Sequence, residues 1–389
     1  MANATIKLPL HEGHAPAYLL NRMIKLSGAI SKVIVSEYGQ HELLRRISDP
    51  LWFQAFGCVL GFDWHSSGIT TVVTGVLKQS LTAEEHGISI AGGKGKRSTD
   101  AKKDIPLLAE KDYNLSTTKI DGLLYASKMA AKVDNATVQD GYSLYHHVIL
   151  FDKNGDWSVV QQGMNTKNMM ARRYHWMSDL VKSFTCEPRT GIICNHKNPK
   201  TLNMSSINSK QNQDVCMELV TGSTENLKTY FNKINQEKNN ANKSSSLDNW
   251  LTRYNSNSTS SVYFENALNS EDYEMPRRLN WDLFKEIYDM QPKNYEQLIS
   301  TPGVGPAAVR ALSLIGEIIF GTKASWQDPV KFTFAHGGKD GVPYPVARRT
   351  YDKSIDYLSA AIEGADILRE DRINALKRLA AYSAKLFSE

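Results

Sequence analysis

The chain has 389 residues, of which 41% are hydrophobic, enough to bury more than one core. A net charge of +5 favours a polyanionic partner, and the lack of a long apolar run or an N-terminal signal pattern argues against membrane insertion and export. Four cysteines without disulfide spacing lead us to expect a reduced, cytoplasmic protein.

Hydrophobic spacing predicts helices through most of the first 132 residues. Helical patterns cover 16–48, 68–81 and 120–132, and Asp49 before Pro50 is a typical helix start. By contrast, residues 87–99 are rich in glycine and cations and predict a loop. Two β-prone runs, 144–152 and 157–162, flank Asn154-Gly155 and predict a β-hairpin.

These patterns indicate an α+β fold that is predominantly helical. We predict a mixed α/β domain with the β-hairpin over residues 1–204, which would be the catalytic one. A polar, low-complexity linker or insertion covers 205–262, with a short helix at 214–234. Residues 263–389 form a helical domain whose last part, 351–386, predicts two helices with a break near Gly364.

The most informative stretch is Gly303-Val304-Gly305-Pro306. It predicts a helix capped by Asn294, a tight turn, and a second helix that begins at Pro306 and closes at Gly321. The stretch resembles the helix-hairpin-helix element of DNA repair proteins, polymerases and nucleases. That resemblance implies contact with the sugar-phosphate backbone through Gly303, Val304 and Gly305. An ordinary Gly-Pro connection between helices is the alternative.

Aspartates and histidines are frequent in the N-terminal half, as a divalent metal site requires. The candidate catalytic residues are Asp63, His65, Asp134, Asp140 and His147, and the candidate ligands of Mg²⁺ or Mn²⁺ are Asp63, Asp134, Asp140 and His146. Because side chains alternate along a strand, at most one of His146 and His147 can face a given site. Asp63 and Asp134 could equally be helix caps.

Several cations are candidate phosphate contacts. They are Lys94 and Lys96 in a glycine-rich segment, the pair Arg172 and Arg173, and Lys339 in a segment rich in aromatic residues, glycine and proline. The segment 92–98 lacks the Walker A spacing, which argues against nucleotide hydrolysis. A solvent-exposed loop or turn is the alternative for each.

Asp328 suggests a second possible reaction, the excision of a base from DNA. In helix-hairpin-helix DNA glycosylases an aspartate at a similar distance beyond the turn supports base excision, and the resemblance implies this role for Asp328. Ala307 stands where the bifunctional members carry a lysine nucleophile, which argues against a lyase. An aspartate before a proline is also a common turn residue.

A wider resemblance rests on seven segments taken together. They are Phe-Asp-Trp-His-Ser-Ser-Gly at 62–68, Ala-Gly-Gly-Lys-Gly-Lys at 91–96, Lys-Val-Asp-Asn at 132–135 with Gln-Asp-Gly-Tyr at 139–142, Gln-Gln-Gly-Met-Asn at 161–165, Ala-Arg-Arg-Tyr-His-Trp at 171–176 and Ala-His-Gly-Gly-Lys-Asp-Gly at 335–341. The chain thereby resembles an uncharacterised family of archaea and thermophilic bacteria, known only as a domain of unknown function. The resemblance implies a cytoplasmic protein and supplies no catalytic residue.

The leading hypothesis is a metal-dependent DNA nuclease that holds the DNA backbone through the helix-hairpin-helix. The alternatives are a non-catalytic DNA- or RNA-binding protein and a glycosylase-like repair enzyme acting through Asp328. The expected partner is DNA, with RNA as the second candidate, and no membrane. The sequence leaves the oligomeric state open.

Overall fold

The computed structural model describes residues 17–62, 68–167, 169–194, 197–198, 200–243, 274–330 and 348–387. Its helices are α1 (Ala17–Tyr38), α2 (Gln40–Ile47), α3 (Pro50–Leu60), α4 (Gly68–Ser80), α5 (Ala83–His86), α6 (Ala101–Tyr113), α7 (Thr117–Lys132), α8 (Lys210–Thr221), α9 (Thr224–Lys243), α10 (Trp281–Met290), α11 (Tyr295–Ser300), α12 (Pro306–Phe320), α13 (Arg348–Gly364) and α14 (Arg369–Phe387). The strands are β1 (Ile88–Lys94), β2 (Val138–Gln139), β3 (Ser143–Asp152), β4 (Trp157–Asn165), β5 (Met170–Met177), β6 (Gly191–Ile193) and β7 (Leu202–Asn203). The predicted fold class, α+β and predominantly helical, is confirmed.

One antiparallel sheet organises the fold, with strand order β1-β3-β4-β5-β6. The predicted hairpin is confirmed as β3 and β4, in which Phe151 pairs with Trp157. Asp152 shapes the intervening turn, because its carboxylate accepts hydrogen bonds from the amides of Asn154 and Asp156 at 2.8 and 3.0 Å. The strands β2 and β7 form a separate, two-stranded sheet.

Helices cover both faces of the five-stranded sheet. On one face Ile90, Val148, Leu150 and Val160 join the core of α1–α4, α13 and α14. On the opposite face Ala91, Ile149, Phe151, Val159 and Trp176 join the core of α6 and α7, which continues into α8–α12. The middle strands therefore have no solvent-facing side along most of their length.

Local signals set the ends of several helices as the sequence predicts. The Asp49 carboxylate caps α3 by accepting the amides of Leu51 and Trp52 at 2.8 and 3.1 Å. Asn294 caps α11 in the same way, through the amide of Gln297 at 2.9 Å. The predicted break near Gly364 is confirmed, since α13 ends there.

Three segments differ from the sequence prediction. The predicted loop 87–99 contains the strand β1, whose backbone pairs with β3, followed by a 3₁₀ turn at Gly95–Asp100. The segment 171–176, interpreted as a binding surface or solvated turn, is the buried strand β5. In the predicted linker, the single short helix expected at 214–234 is two helices, α8 and α9, whose apolar side chains enter a core.

The predicted division into domains at 204 and 262 stays a prediction. In the structure α10–α12 share one core with α6 and α7, while α13 and α14 pack on α1 and α3. None of the helices in the described ranges combines the length and apolar composition that a bilayer crossing requires.

A substitution of Phe151 tests the burial of the sheet face that α6 and α7 cover. Its side chain is fully buried near the end of β3, so Phe151→Ala should lower the free energy of unfolding by about 3–5 kcal/mol. Leu107→Ala is the control, because Leu107 is 67% exposed on α6. Urea unfolding measures both variants, and an equal reduction in the two would contradict the burial of β3.

Candidate functional site

The predicted metal ligand Asp134 lies in a π-turn at the end of α7 and is fully buried. One carboxylate oxygen accepts a hydrogen bond from Arg189, and the other accepts bonds from Gln161 and from the Trp176 indole, the last at 2.9 Å. Burial raises the pKa of the Asp134 carboxyl, and the charge of Arg189 opposes that shift. Both oxygens already have protein partners, so the side chain acts here as a buried ion-pair partner.

A second buried ion cluster centres on Arg172, which is fully buried in β5. Its guanidinium donates to Asp140 at 2.8 Å and to both oxygens of Asp328 at 3.0 and 2.8 Å. The Tyr174 hydroxyl also donates to Asp140, at 2.7 Å, and the backbone N–H of Asn198 donates to Asp328, also at 2.7 Å. The sequence suggested Asp140 as a metal ligand, Asp328 as a glycosylase aspartate and Arg172 as a phosphate contact. In the structure these three residues form one ion cluster.

Arg173 lies on the opposite face of β5 from Arg172. Its guanidinium donates to His175 at 2.8 Å and to the Gln54 side chain at 3.0 Å, and it lies over the Phe53 ring. The expectation that the two arginines clamp one phosphate is therefore not supported, because neighbouring residues of a strand face opposite sides. Each guanidinium instead binds partners inside the protein.

His146 and His147 also point to opposite faces, as strand geometry predicts. His146 Nε2 lies 2.9 Å from the Thr74 hydroxyl of α4, and burial lowers its pKa to about 3. His147 Nε2 lies 2.8 Å from the Ser127 hydroxyl of α7, and its Nδ1 lies 2.8 Å from the Gln161 side chain. Burial also lowers the pKa of His147. Both rings are neutral core groups at pH 7.

Among the described residues, the predicted metal ligands Asp134, Asp140 and His146 do not form one site. Within the described part of the chain, no three His, Cys, Asp or Glu side chains are placed to hold a metal ion. The predicted residues Asp63, His65 and Lys339 lie outside the described residues. Asp134 and Asp140 are held by different arginines. A metal site built on Asp134 or Asp140 would require the metal to replace an arginine.

As predicted, a tight turn connects the two helices α11 and α12. Contacts with the rest of the protein hold this turn in place. Gly303 has φ +84°, and a Cβ added there would approach Leu283 to 3.0 Å, so the fold itself requires glycine. Lys132, the last residue of α7, donates to the carbonyl oxygens of Thr301 and Val304, the latter at 3.0 Å. Val304 is buried, so the turn can present its backbone and not this side chain.

Gly305 differs from Gly303, because nothing in the described structure requires a glycine there. Its backbone is extended, with φ −127° and ψ −170°, and a Cβ added to it would come no closer than 3.9 Å to another atom. Gly305 is the N-cap of α12 and supplies no side-chain cap, although serine or asparagine would stabilise the helix start. The first-turn amides beyond Pro306 have no partner within the helix and carry partial positive charge.

Lys94 and Lys96 are exposed, at the end of β1 and in the following 3₁₀ turn. Sequence reasoning missed Lys132 and Gln139, which hold the turn between α11 and α12. Gln139 donates to the Pro306 carbonyl at 2.8 Å. Lys132 lies 169 residues from Thr301 along the chain, and no local pattern marks such a distant contact.

The chain belongs to the family described as "Protein of unknown function (DUF763)", whose model matches residues 4–346. Membership of an uncharacterised family, which the seven sequence segments indicated, is thereby confirmed. No curated protein and no solved structure matches the chain.

Arg172→Ala tests whether this arginine is structural. The change leaves Asp140 and Asp328 buried without their shared counter-charge, so the free energy of unfolding should fall by about 3–5 kcal/mol. Lys94→Ala is the control, because Lys94 is exposed and its replacement should change stability by less than about 0.5 kcal/mol. Unchanged stability in Arg172→Ala, with weaker nucleic-acid binding, would instead identify a phosphate contact.

The buried histidines predict how stability depends on pH. The folded-state pKa of His146, about 3, lies below its ordinary value of 6.5, so the unfolded chain takes up a proton first as the pH falls. The stabilisation from neutral His146 is complete above pH 6.5 and is lost as the pH falls towards 3. His146→Gln should reduce the slope of unfolding free energy between these values by up to about 1.4 kcal/mol per pH unit. If the unfolding free energies of wild type and His146→Gln, measured in urea, change equally with pH, the neutral burial of His146 is contradicted.

Proposed function

We propose that this protein binds nucleic acid, preferably DNA, by holding the sugar-phosphate backbone at the turn 301–305 and the first turn of α12. The supporting observation is Gly305, a glycine that neither the backbone angles nor the packing requires. A missing side chain at an exposed helix start lets a phosphate approach the amides closely. The proposal treats this segment as a helix-hairpin-helix element that contacts the backbone without distinguishing bases.

The rigid support of the turn favours this function. The carbonyl oxygens of Thr301, Val304 and Pro306 accept hydrogen bonds from side chains of α7 and β2. The turn is therefore ordered before a ligand arrives, and binding loses less conformational entropy than it would with a flexible loop. The Lys132 ammonium also lies directly under the turn and adds positive charge near a bound phosphate.

The catalytic hypotheses stay predictions. A nuclease using Mg²⁺ or Mn²⁺ depends on Asp63 and His65, which lie outside the described residues, and on carboxylates that are now bound to arginine. A glycosylase-like reaction would require Asp328 to leave Arg172, because both carboxylate oxygens of Asp328 accept hydrogen bonds from that guanidinium. The archaeal or thermophilic-bacterial origin inferred from the sequence also stays a prediction.

Gly305→Ser tests the proposed contact. The extended backbone accepts serine, and serine is a favourable N-cap, so thermal stability should be unchanged or slightly higher. The added side chain occupies the approach to the first-turn amides and competes for them. Affinity for a DNA duplex of about 20 base pairs should fall about tenfold, measured by fluorescence anisotropy at one fixed salt concentration.

The control is Gly75→Ser, the same chemical change on α4, across the sheet from the turn. A Cβ at Gly75 meets no atom within 4 Å, so this variant should bind as the wild type does. Equal affinities of Gly305→Ser and wild type would contradict the proposal, as would a wild type that binds no nucleic acid.

Incubating the same DNA with Mg²⁺, Mn²⁺ or EDTA tests the nuclease and glycosylase hypotheses. Metal-dependent cutting supports the nuclease, and base release that survives EDTA supports the glycosylase.

A further inference from the structure

A second basic surface lies at the end of β1. The stretch 93–103 contains Lys94, Lys96, Arg97, Lys102 and Lys103 against one carboxylate, Asp100. Lys94, Lys96 and Arg97 are exposed, and none of the three lies within 4 Å of a carboxylate among the described residues. The hydroxyls of Ser98 and Thr99 close the turn by donating to the carbonyls of Gly95 and Lys96 at 2.7 and 2.9 Å. The cations are thus displayed on a closed turn.

This surface adjoins α7 through the strand pairing. Gly93 pairs with His147 across β1 and β3, and a Cβ added to Gly93 would lie 3.0 Å from the Cβ of Arg97. Residues paired across strands project to the same face, so Arg97 lies on the face of the sheet that His147 shares. His147 reaches the Ser127 hydroxyl of α7 at 2.8 Å. Arg97 and α7 consequently lie on the same face of the sheet, where the 3₁₀ turn packs against β1, β3 and the start of α6.

The helix α7 then leads from Ser127 to the turn between α11 and α12. Lys132 follows Ser127 by five residues, about 7.5 Å along a helix, and donates to the Val304 carbonyl. Lys128 is exposed and shares a helical face with Lys132, four residues later. Burial lowers the pKa of Lys132 to about 8, and the charge of Lys128 contributes to that shift, which indicates that the two ammonium groups are close.

We propose that the turn 301–305, Lys128 and the cations Lys94, Lys96 and Arg97 form one continuous surface that binds the backbone of duplex DNA. The surface measures on the order of 25 Å from the 3₁₀ turn through α7 to Val304, which equals about seven base pairs at 3.4 Å each. No aromatic residue belongs to this set, so it offers no stacking platform for the unpaired bases of a single strand. This inference rests on the proposed function and adds a second contact region to it.

The triple variant Lys94→Gln, Lys96→Gln and Arg97→Gln tests the second region in the full-length chain. Removing each phosphate-binding cation should reduce the slope of log affinity against log salt by about 0.9, giving about 2.7 in total. The measurement is anisotropy with a DNA duplex of about 20 base pairs between about 50 and 200 mM KCl. With a DNA hairpin whose stem has about five base pairs, too short to cover both regions, the variant and the wild type should differ less.

The matched control replaces Lys119, Lys153 and Lys182 by glutamine. These three lysines are exposed around the β3–β4 turn and the start of α7, at the far end of that helix from Lys132. The control carries the same charge change and should retain the wild-type salt slope. An equal reduction of the slope in both triple variants would show a non-specific charge effect and overturn the proposal.

The outcomes separate this inference from the proposed function. An unchanged slope in the Lys94, Lys96 and Arg97 variant, together with weak binding by Gly305→Ser, rejects the second region and leaves the turn as the binding element. If Gly305→Ser binds as the wild type does while the triple variant has a reduced salt slope, the turn is not a binding element. The continuous surface is then rejected as well. Tighter binding of single-stranded DNA or duplex RNA than of duplex DNA at equal salt overturns the assignment to duplex DNA.

Discussion

A sheet covered by helices on both faces cannot leave the polar side chains of its middle strands exposed to water. An unpaired charge in such a place costs several kcal/mol, so each buried ionisable group must have a partner within the protein. Arg172 meets this requirement with two carboxylates that are far apart along the chain, Asp140 and Asp328. Asp134 meets it with Arg189 and the Trp176 indole. Burial therefore determines what Arg172, Asp140, Asp328 and Asp134 do in this protein.

This constraint changes the functional interpretation of the sequence. Among the described residues, Asp134, Asp140, His147 and Arg172 suggested catalysis or phosphate binding, but the fold buries all four and their hydrogen bonds are made inside the protein. Residues that remain accessible to a ligand lie at the margins of the fold. They are the backbone around Gly305 and exposed lysines such as Lys94 and Lys128. These groups supply positive charge and backbone amide donors, which is the chemistry that the proposed binding of a nucleic-acid backbone uses.

Local signals in the sequence predict local structure well. Asp49, the Asn154-Gly155 pair and Asn294 act within four residues of themselves, so their helix starts and turn could be predicted without the tertiary fold. Prediction failed where pairing across the chain decides the conformation. The glycine-rich start of the segment 87–99 is a strand because β3 offers it a partner, and β5 is buried because helices cover it. The roles of Asp140 and Asp328 depend on an arginine far away in sequence, and for that reason no motif revealed them.

The sequence does not show which of the two glycines of the turn the fold requires, but the structure does. Gly303 and Gly305 fit the same motif equally well, yet only Gly303 has a backbone angle and a neighbour that exclude a side chain. The protein fixes the turn around Gly305 through Lys132, while α7 is itself tied to the sheet by Ser127 and His147. A rigid connection thus joins the sheet to the exposed amides. It follows that a core substitution which shifts α7 should weaken binding at the turn without touching a ligand, because the donors would leave the geometry in which the fold holds them.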